Sequence, residues 1–278
     1  MKTKPILIAL FAALLSGCAK DVERLAQPYL TRAQQHYANK QYSLAKLQLD
    51  SIKLLYPKAF ETRKQAQDLQ LRVEYDEAHA SKLYADSLLA DTREKAAAVS
   101  AKLYLDKDPA YQDVGHYYAS RHRVEQNVGR TFLRPQVSER GECSVVVYNR
   151  GKAIQAHTLR FTASDGSFVE LKTKEAPHIF SDASGRTERA DFVVQPDNNV
   201  ASFVQLHSRA NLKVSLVGEA ATVAVPMGKA DAESLAQVCE LAALLRLADE
   251  LERQASELER RIHFFEDRLQ IEHNTLKS

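Results

Sequence analysis

The sequence predicts an α+β protein in which two long helices flank a region of short β-strands. Segments 59–104 and 229–278 carry apolar residues at helical spacing and contain few helix breakers. Between them, residues 129–228 change to short runs rich in Val, Phe and Leu, separated by turn sequences. The chain is 45% hydrophobic and has only 9 Gly and 8 Pro, which favours ordered elements over long disordered linkers.

The first 17 residues have the pattern of a secretory signal sequence. Lys2 and Lys4 give a basic tip, and the apolar run PILIALFAALLSG follows. This run is shorter than the ~20 residues that a permanent membrane-spanning helix needs. We therefore expect residues 1–17 to be a signal peptide that is removed, so that the mature chain starts at Cys18.

The cleavage site carries a second pattern. The residues Leu15, Ser16, Gly17 and Cys18 read LSGC, which resembles the lipobox of bacterial lipoproteins. The resemblance implies a diacylglyceryl group on the Cys18 thiol and an acyl chain, such as palmitate, on its new amine. Each buried CH₂ contributes about 0.8 kcal/mol, so two or more acyl chains anchor a protein stably. The alternative is an ordinary cleaved signal with an accidental cysteine.

The residues after the lipobox bear on the destination. Ala19 and Lys20 stand where enterobacterial lipoproteins retained in the inner membrane carry Asp. The resemblance therefore implies a lipid anchor in the bacterial outer membrane, with the protein on either the periplasmic or the cell-surface face.

Residues 18–58 are predicted to form the lipidated N-terminus and a helical hairpin that breaks near ANKQY. Their spacing resembles one tetratricopeptide repeat, and the matching positions are Tyr29, Ala33, Ala45, Leu49, Ile52 and Pro57. Arg32 and His36 depart from the usual leucine and tyrosine. One repeat cannot bury its own apolar face, so it must pack on another part of the chain or on a partner. A repeat after a lipidated cysteine is also similar to the start of the outer-membrane assembly lipoproteins.

Residues 59–104 are predicted to form the first long helix. The best apolar seam at spacings of three and four consists of Ala66, Leu69, Val73, Ala80, Leu83, Ala90, Ala97, Ala101 and Tyr104. Leu88, Leu89, Val99 and Leu103 lie off this seam and predict a second contact face.

The C-terminal helix, within 229–278, has the most regular pattern in the chain. Its a/d seam, typical of a coiled coil, consists of Leu241, Leu244, Ala248, Leu251, Ala255, Leu258, Ile262, Phe265 and Leu269. Both long helices run about 44 residues, or about 65 Å at 1.5 Å per residue. Their similar lengths predict an antiparallel stalk with the β region inserted at its far end. The alternative is a parallel homodimer through the C-terminal helix.

Residues 105–128 form a linker rich in tyrosine and arginine. Such side chains are common in protein and sugar contacts, and the candidates for partner contact are Tyr111, Tyr117, Tyr118, Arg121 and Arg123. We prefer the alternative that the rings wedge the β region onto the helical stalk, with their hydroxyls at the rim.

The region 129–228 is predicted to hold about eight strands, spaced near ten residues apart, which favours an antiparallel sandwich or a small barrel. One of the predicted strands is VASFVQLH, and Asp165-Gly166 gives the best hairpin signal. Cys143 falls in a predicted strand and Cys239 in the C-terminal helix. They are either two buried thiols or, in an oxidising compartment, a pair.

The net charge and the lack of known motifs argue against several classes of function. Without Lys2 and Lys4 the chain carries 36 basic and 36 acidic side chains, so it has no electrostatic signature for nucleic acid. We find no cofactor motif, and His116 and His122 lack a third metal ligand at suitable spacing.

We therefore expect a non-enzymatic lipoprotein that acts as an envelope scaffold or protein-binding module. One alternative is a surface glycan-binding lipoprotein, although the chain has no tryptophan. The other is a hydrolase that uses Ser167 with Asp165 and His157.

Overall fold

A computed structural model describes residues 6–182, 185–195, 199–207 and 212–270, and for residues 6–20 the backbone alone. These residues form a mixed α and β structure with five α-helices and two antiparallel sheets. Within the described ranges neither sheet closes into a barrel, so the barrel alternative is wrong. The described helices contain no stretch both long and apolar enough to cross a membrane.

Helices make up most of the N-terminal and C-terminal parts of the chain. Their bounds are α1 Ile6–Ala38, α2 Tyr42–Leu55, α3 Phe60–Ser100, α4 Val200–His207 and α5 Lys229–Leu269. The break between α1 and α2 falls at the ANKQY sequence, as predicted. There Lys40 adopts a positive φ of 57°, and the Gln41 N–H donates to the His36 carbonyl at 2.9 Å, closing the turn.

Ten strands make up the two sheets. Their bounds are β1 Tyr104–Asp106, β2 His116–Tyr118, β3 Phe132–Ser138, β4 Cys143–Arg150, β5 Ala156–Thr162, β6 Phe168–Lys172, β7 His178–Asp182, β8 Gly185–Val193, β9 Lys213–Gly218 and β10 Thr222–Val225. The first sheet has the order β1-β2-β3-β4-β8-β7, and the second has the order β10-β9-β5-β6. The Asp165-Gly166 turn joins β5 to β6, which pair from Thr162 opposite Phe168.

The chain divides into two compact units. The helical unit contains residues 1–87 and 252–278, and the β unit contains residues 88–251. Helices α3 and α5 contribute residues to both units.

The core of the helical unit lies where α1, α2 and the start of α3 meet. Its buried residues are Ala26, Leu30, Ala33, Ala45, Leu49, Ile52, Ala59, Ala66 and Val73. Alanines at these positions let the helix backbones approach closely. The carboxylate of Glu23 accepts hydrogen bonds from the Glu61 and Thr62 backbone N–H groups, both at 3.1 Å, and from the Thr62 hydroxyl at 2.6 Å. An anion on α1 therefore caps the positive end of α3.

The same unit contains an antiparallel contact between α3 and α5. Ala78 and Ala85 of α3 form one apolar cluster with residues of the α5 seam, which are Ala255, Leu258 and Ile262. Tyr75 interacts with Glu266, whereas Lys82, seven residues later, interacts with Glu259, seven residues earlier. This part of the α5 seam is thus covered by α3 of the same chain.

The buried face of α3 differs from the predicted seam after Val73. Leu83 is 72% exposed, and Ala80, Ala90, Ala97 and Ala101 are exposed as well. The buried positions include Ala78, Ala85, Thr92 and Val99, which repeat every seven residues. At these positions α3 buries mainly small residues, whereas Leu83 faces solvent, so a seam traced through Leu83 follows the wrong face.

The core of the β unit draws on both sheets and on α5. It includes Val145 and Val147 of β4, Phe192 of β8, Phe161 of β5, Leu216 of β9, and Leu235, Val238 and Leu241 of α5. The remaining residues of the α5 seam in this unit, Leu244, Ala248 and Leu251, are partly or fully buried. The two sheets and the first half of α5 therefore share one hydrophobic core.

Two segments of the β unit differ from the sequence prediction. The expected linker, residues 105–128, supplies β2 and most of β1 to the first sheet, and the long helix ends at Ser100 instead of Tyr104. The run VASFVQLH is helix α4, because its buried residues Val200 and Val204 lie four apart. Short apolar runs fit a strand or a helix equally well by composition.

A buried carboxylate connects the two sheets. Glu188 of β8 is fully buried and accepts hydrogen bonds from the Asn149 side chain of β4 at 3.0 Å, from the Ile154 N–H at 2.8 Å and from the Ala156 N–H of β5 at 2.9 Å. The strands β4 and β8 belong to the first sheet and β5 to the second. The Glu188 side chain therefore stabilises the segment in which the chain passes from one sheet to the other.

Replacement of Glu188 by alanine is expected to destabilise the β unit by about 3 to 5 kcal/mol, because two buried N–H groups and the Asn149 amide lose their acceptor. Urea unfolding followed by circular dichroism measures the loss. The exposed Glu175 provides a control, since Glu175→Ala should change stability by less than about 0.5 kcal/mol. Equal effects of the two substitutions would contradict the role given to Glu188.

Candidate functional site

The predicted Tyr/Arg contact set divides into buried and exposed members. Tyr118 is 3% exposed, and its hydroxyl donates to Asp106 Oδ2 at 2.8 Å. Its ring lies edge-on to Tyr104, and the Arg134 guanidinium sits 4.7 Å from the ring centroid. Burial and the hydrogen bond to Asp106 raise the pKa of the Tyr118 hydroxyl. This side chain holds the first sheet together and is not available to a partner.

Tyr117 faces the other side of β2. It is partly buried and packs against the core of the β unit, to which α3 contributes Ala96 and Val99. Neighbouring residues of a strand point to opposite faces, so Tyr117 and Tyr118 secure both faces of β2. Their placement favours the wedge interpretation over partner contact.

The other three members do not form one surface. Tyr111 is 88% exposed and lies in the loop between β1 and β2. Arg121 and Arg123 follow the opposite end of β2, where Arg121 pairs with Asp231 at 3.4 Å and Arg123 lies 4.8 Å from the Tyr104 ring centroid. The hairpin therefore separates Tyr111 from the two arginines.

A polar cleft of about 520 Å³ adjoins Arg121. It is lined by Arg121, His122, Arg130 and Asp231, among others. His122 is buried, and its Nε2 atom has no hydrogen-bond partner and lies 3.7 Å from Asp231 Oδ1. Burial lowers the pKa of His122 despite the nearby carboxylate. The two guanidinium groups have the chemistry to hold a small anion, but one pairs with Asp231 and the other donates to the Gln126 carbonyl at 2.6 Å.

The three residues of the hydrolase alternative do not converge. The Ser167 hydroxyl donates to Asp165 Oδ1 at 2.6 Å within the exposed turn, whereas His157 contacts the Thr158 hydroxyl at 2.8 Å. Thr158 pairs with Lys172, and Thr162 pairs with Phe168, so His157 lies at the end of the hairpin away from Ser167. His157 therefore cannot act as the general base for Ser167 in this arrangement. Among the described residues, no three His, Cys, Asp or Glu side chains form a group able to hold a metal ion.

A groove in the helical unit was not predicted from the sequence. It has a volume of about 720 Å³ and lies between α2 and the first half of α3, with Leu49, Ile52 and Ala66 among its lining residues. Phe60, which also lines it, is 71% exposed. A large exposed aromatic next to apolar lining is typical of a binding surface.

Charged side chains divide the groove into two ends. Lys53, Arg63 and Lys64 line it near the start of α3. Asp50 and Glu74 line it farther along, towards the Lys46–Glu77 ion pair of 2.6 Å that joins the two helices. The groove is therefore basic at one end and acidic at the other.

Helix α2 also exposes apolar side chains away from its packed face. We call Leu44, Leu47, Leu54 and Leu55 the leucine face. These residues fall between the repeat-like positions Ala45, Leu49 and Ile52, which are buried. Leucines outside the repeat positions were the available sequence signal for an exposed apolar surface here.

The predicted lipidation site, Cys18, lies in the first half of α1. Cys18 and the rest of the LSGC sequence belong to residues 6–20, whose side chains are outside the described part of the structure. No family model, curated protein or solved structure matches the chain.

The structural role of Tyr118 can be tested against Tyr111. Tyr118→Ala is expected to lower the free energy of unfolding by about 3 kcal/mol, because it removes a buried ring and leaves Asp106 and Arg134 without their contact. Tyr111→Ala should change it by less than about 0.5 kcal/mol. Denaturant unfolding of both variants measures these changes. If Tyr118→Ala were as stable as the parent, Tyr118 would not have the structural role given to it and would again be a candidate for partner contact.

Proposed function

We propose that this protein is a non-enzymatic lipoprotein of the bacterial outer membrane that binds a protein partner through the groove of its helical unit. In this proposal α1 and α2 act as a repeat-like hairpin, α3 and α5 as an antiparallel coiled coil, and the two sheets as a sandwich. Lipid on Cys18 supplies the anchor. The groove between α2 and α3 is the observation on which the binding function rests.

The shape of the groove favours a helix as its occupant. It runs between two helices, and Phe60 adds an exposed apolar ring to a lining that is otherwise largely polar. The side chain of Phe60 projects at its side with most of its surface in solvent. Covering this ring on binding would remove apolar area from water, which is the main favourable term in association.

The charges favour a particular kind of helix. Lys53, Arg63 and Lys64 attract acidic side chains, and Asp50 and Glu74 attract basic ones. We therefore propose an amphipathic partner helix that is acidic at one end and basic at the other. Complementary ends fix its direction in the groove as well as its affinity.

Peptide binding tests the charge argument. The probes are two fluorescent amphipathic peptides with the same apolar face, one with acidic residues at one end and basic residues at the other, and one with lysine at both ends. We expect the first to bind the full chain about fivefold more tightly, since each exposed ion pair contributes up to about 1 kcal/mol. The double variant Lys53→Glu/Lys64→Glu should remove this preference.

The matched control changes the same charge elsewhere. Lys152→Glu/Lys174→Glu alters two exposed lysines of the β unit and should leave the preference intact. Phe60→Ser should weaken both peptides, whereas Leu47→Ser, on the leucine face, should affect neither. Binding that depends on Leu47 and not on Phe60 would show that the groove is the wrong surface.

The anchor is tested separately in a bacterial host. Metabolic labelling with an alkyne-bearing palmitate analogue should label the protein, and Cys18→Ala should abolish the label, because the thiol that carries the lipid is gone. Cys143→Ser serves as the control and should keep the label. Labelling that survives in Cys18→Ala would overturn the lipidation proposal.

A further inference from the structure

The two cysteines of the β unit lie side by side. Cys143 is the first residue of β4, and Cys239 lies in α5, 96 residues later. Their Sγ atoms are 3.6 Å apart. Cys143 is buried and Cys239 is partly exposed. The sequence alone left open whether the two thiols pair, because one lies in a strand and the other in a helix.

A depression beside the pair gives access from solvent. It has a volume of about 220 Å³, and both cysteines line it together with Arg246. Arg246 is held in place by a hydrogen bond from its Nη1 to the Gly141 carbonyl at 2.9 Å. A partly exposed thiol beside a fixed guanidinium is the setting in which cysteines react.

The two thiols are not equivalent. Contact with Cys239 and burial raise the pKa of Cys143, whereas the hydrogen bond from Cys143 and the Arg246 guanidinium lower the pKa of Cys239. Cys239 is the more accessible of the two thiols and lies beside Arg246, so it is the one that meets a reagent from solvent.

We propose that Cys143 and Cys239 are a disulfide-forming pair, oxidised by thiol–disulfide exchange with a small disulfide of the glutathione class. The Cys239 thiolate attacks one sulfur of that disulfide and releases the other half as a thiolate. Cys143 loses its proton to solvent and attacks Cys239 Sγ in the mixed disulfide, releasing the second half as a thiolate. The protein loses two protons and two electrons, and the disulfide reagent is reduced to two thiols.

The bond would clamp the start of β4 to α5. It would close a loop of about 96 residues that contains β4 to β10, α4 and the first turns of α5. Long closed loops restrict the unfolded chain most, so oxidation should raise the stability of the β unit. This inference does not depend on the proposed binding function.

The test uses the full chain with Cys18→Ser, so that Cys143 and Cys239 are its only thiols. The reduced protein is incubated with oxidised glutathione, digested without reduction and analysed by mass spectrometry. We expect a cross-linked peptide that joins Cys143 to Cys239 and a melting temperature higher by about 10 °C, reversed by dithiothreitol. Two free thiols, or a stable glutathione adduct on Cys239, would overturn the proposal.

The single variants separate the two roles. With Cys143→Ser, Cys239 should accumulate the glutathione adduct because no second thiol resolves it. With Cys239→Ser, the buried Cys143 should stay unmodified. An adduct that forms on Cys143 instead of Cys239 would contradict the assigned order of attack. The peptide analysis of the parent chain remains decisive if either variant folds poorly.

Discussion

The buried carboxylate of Glu188 is the constraint on which the β unit depends. A carboxylate in a protein interior must receive hydrogen bonds, or its burial costs more than the fold gains. Glu188 obtains them from both sheets at once, through Asn149 of β4 and the N–H groups of Ile154 and Ala156. The arrangement in which the two sheets share a core thus also brings these donors to one side chain.

The backbone around this crossing is adapted to the same arrangement. Gln155, between the two N–H donors, adopts a positive φ of 57°, which costs energy for a residue with a side chain. Gly218 lies against the Ile154 carbonyl, where a Cβ atom would come within 2.3 Å of the oxygen. The segment is therefore confined on one side by the Glu188 carboxylate and on the other by a position that admits only glycine.

The sequence predicted the elements better than their contacts. Helix α2, the break before it and the β5–β6 hairpin depend on neighbouring residues, and each was predicted near its observed position. The role of Tyr118 depends on Arg134, which lies on another strand, so no local pattern indicates it. The groove could not be predicted from the sequence either. It exists because parts of α2 and α3 stay uncovered after the helices pack, and no local pattern shows which parts these are. The Cys143–Cys239 contact likewise requires the tertiary fold.

The packing of the hairpin also bears on the proposed binding of a partner. A single repeat-like hairpin cannot bury its apolar face, and in this chain α3 covers part of it through Ala66 and Val73. That contact covers the inner, apolar face of α2, where Leu49 and Ile52 are buried. It leaves the side of the α2–α3 junction open, with Phe60 in solvent and charges arranged at both ends. In the proposed function, the partner helix would cover this phenylalanine and so remove its ring from water.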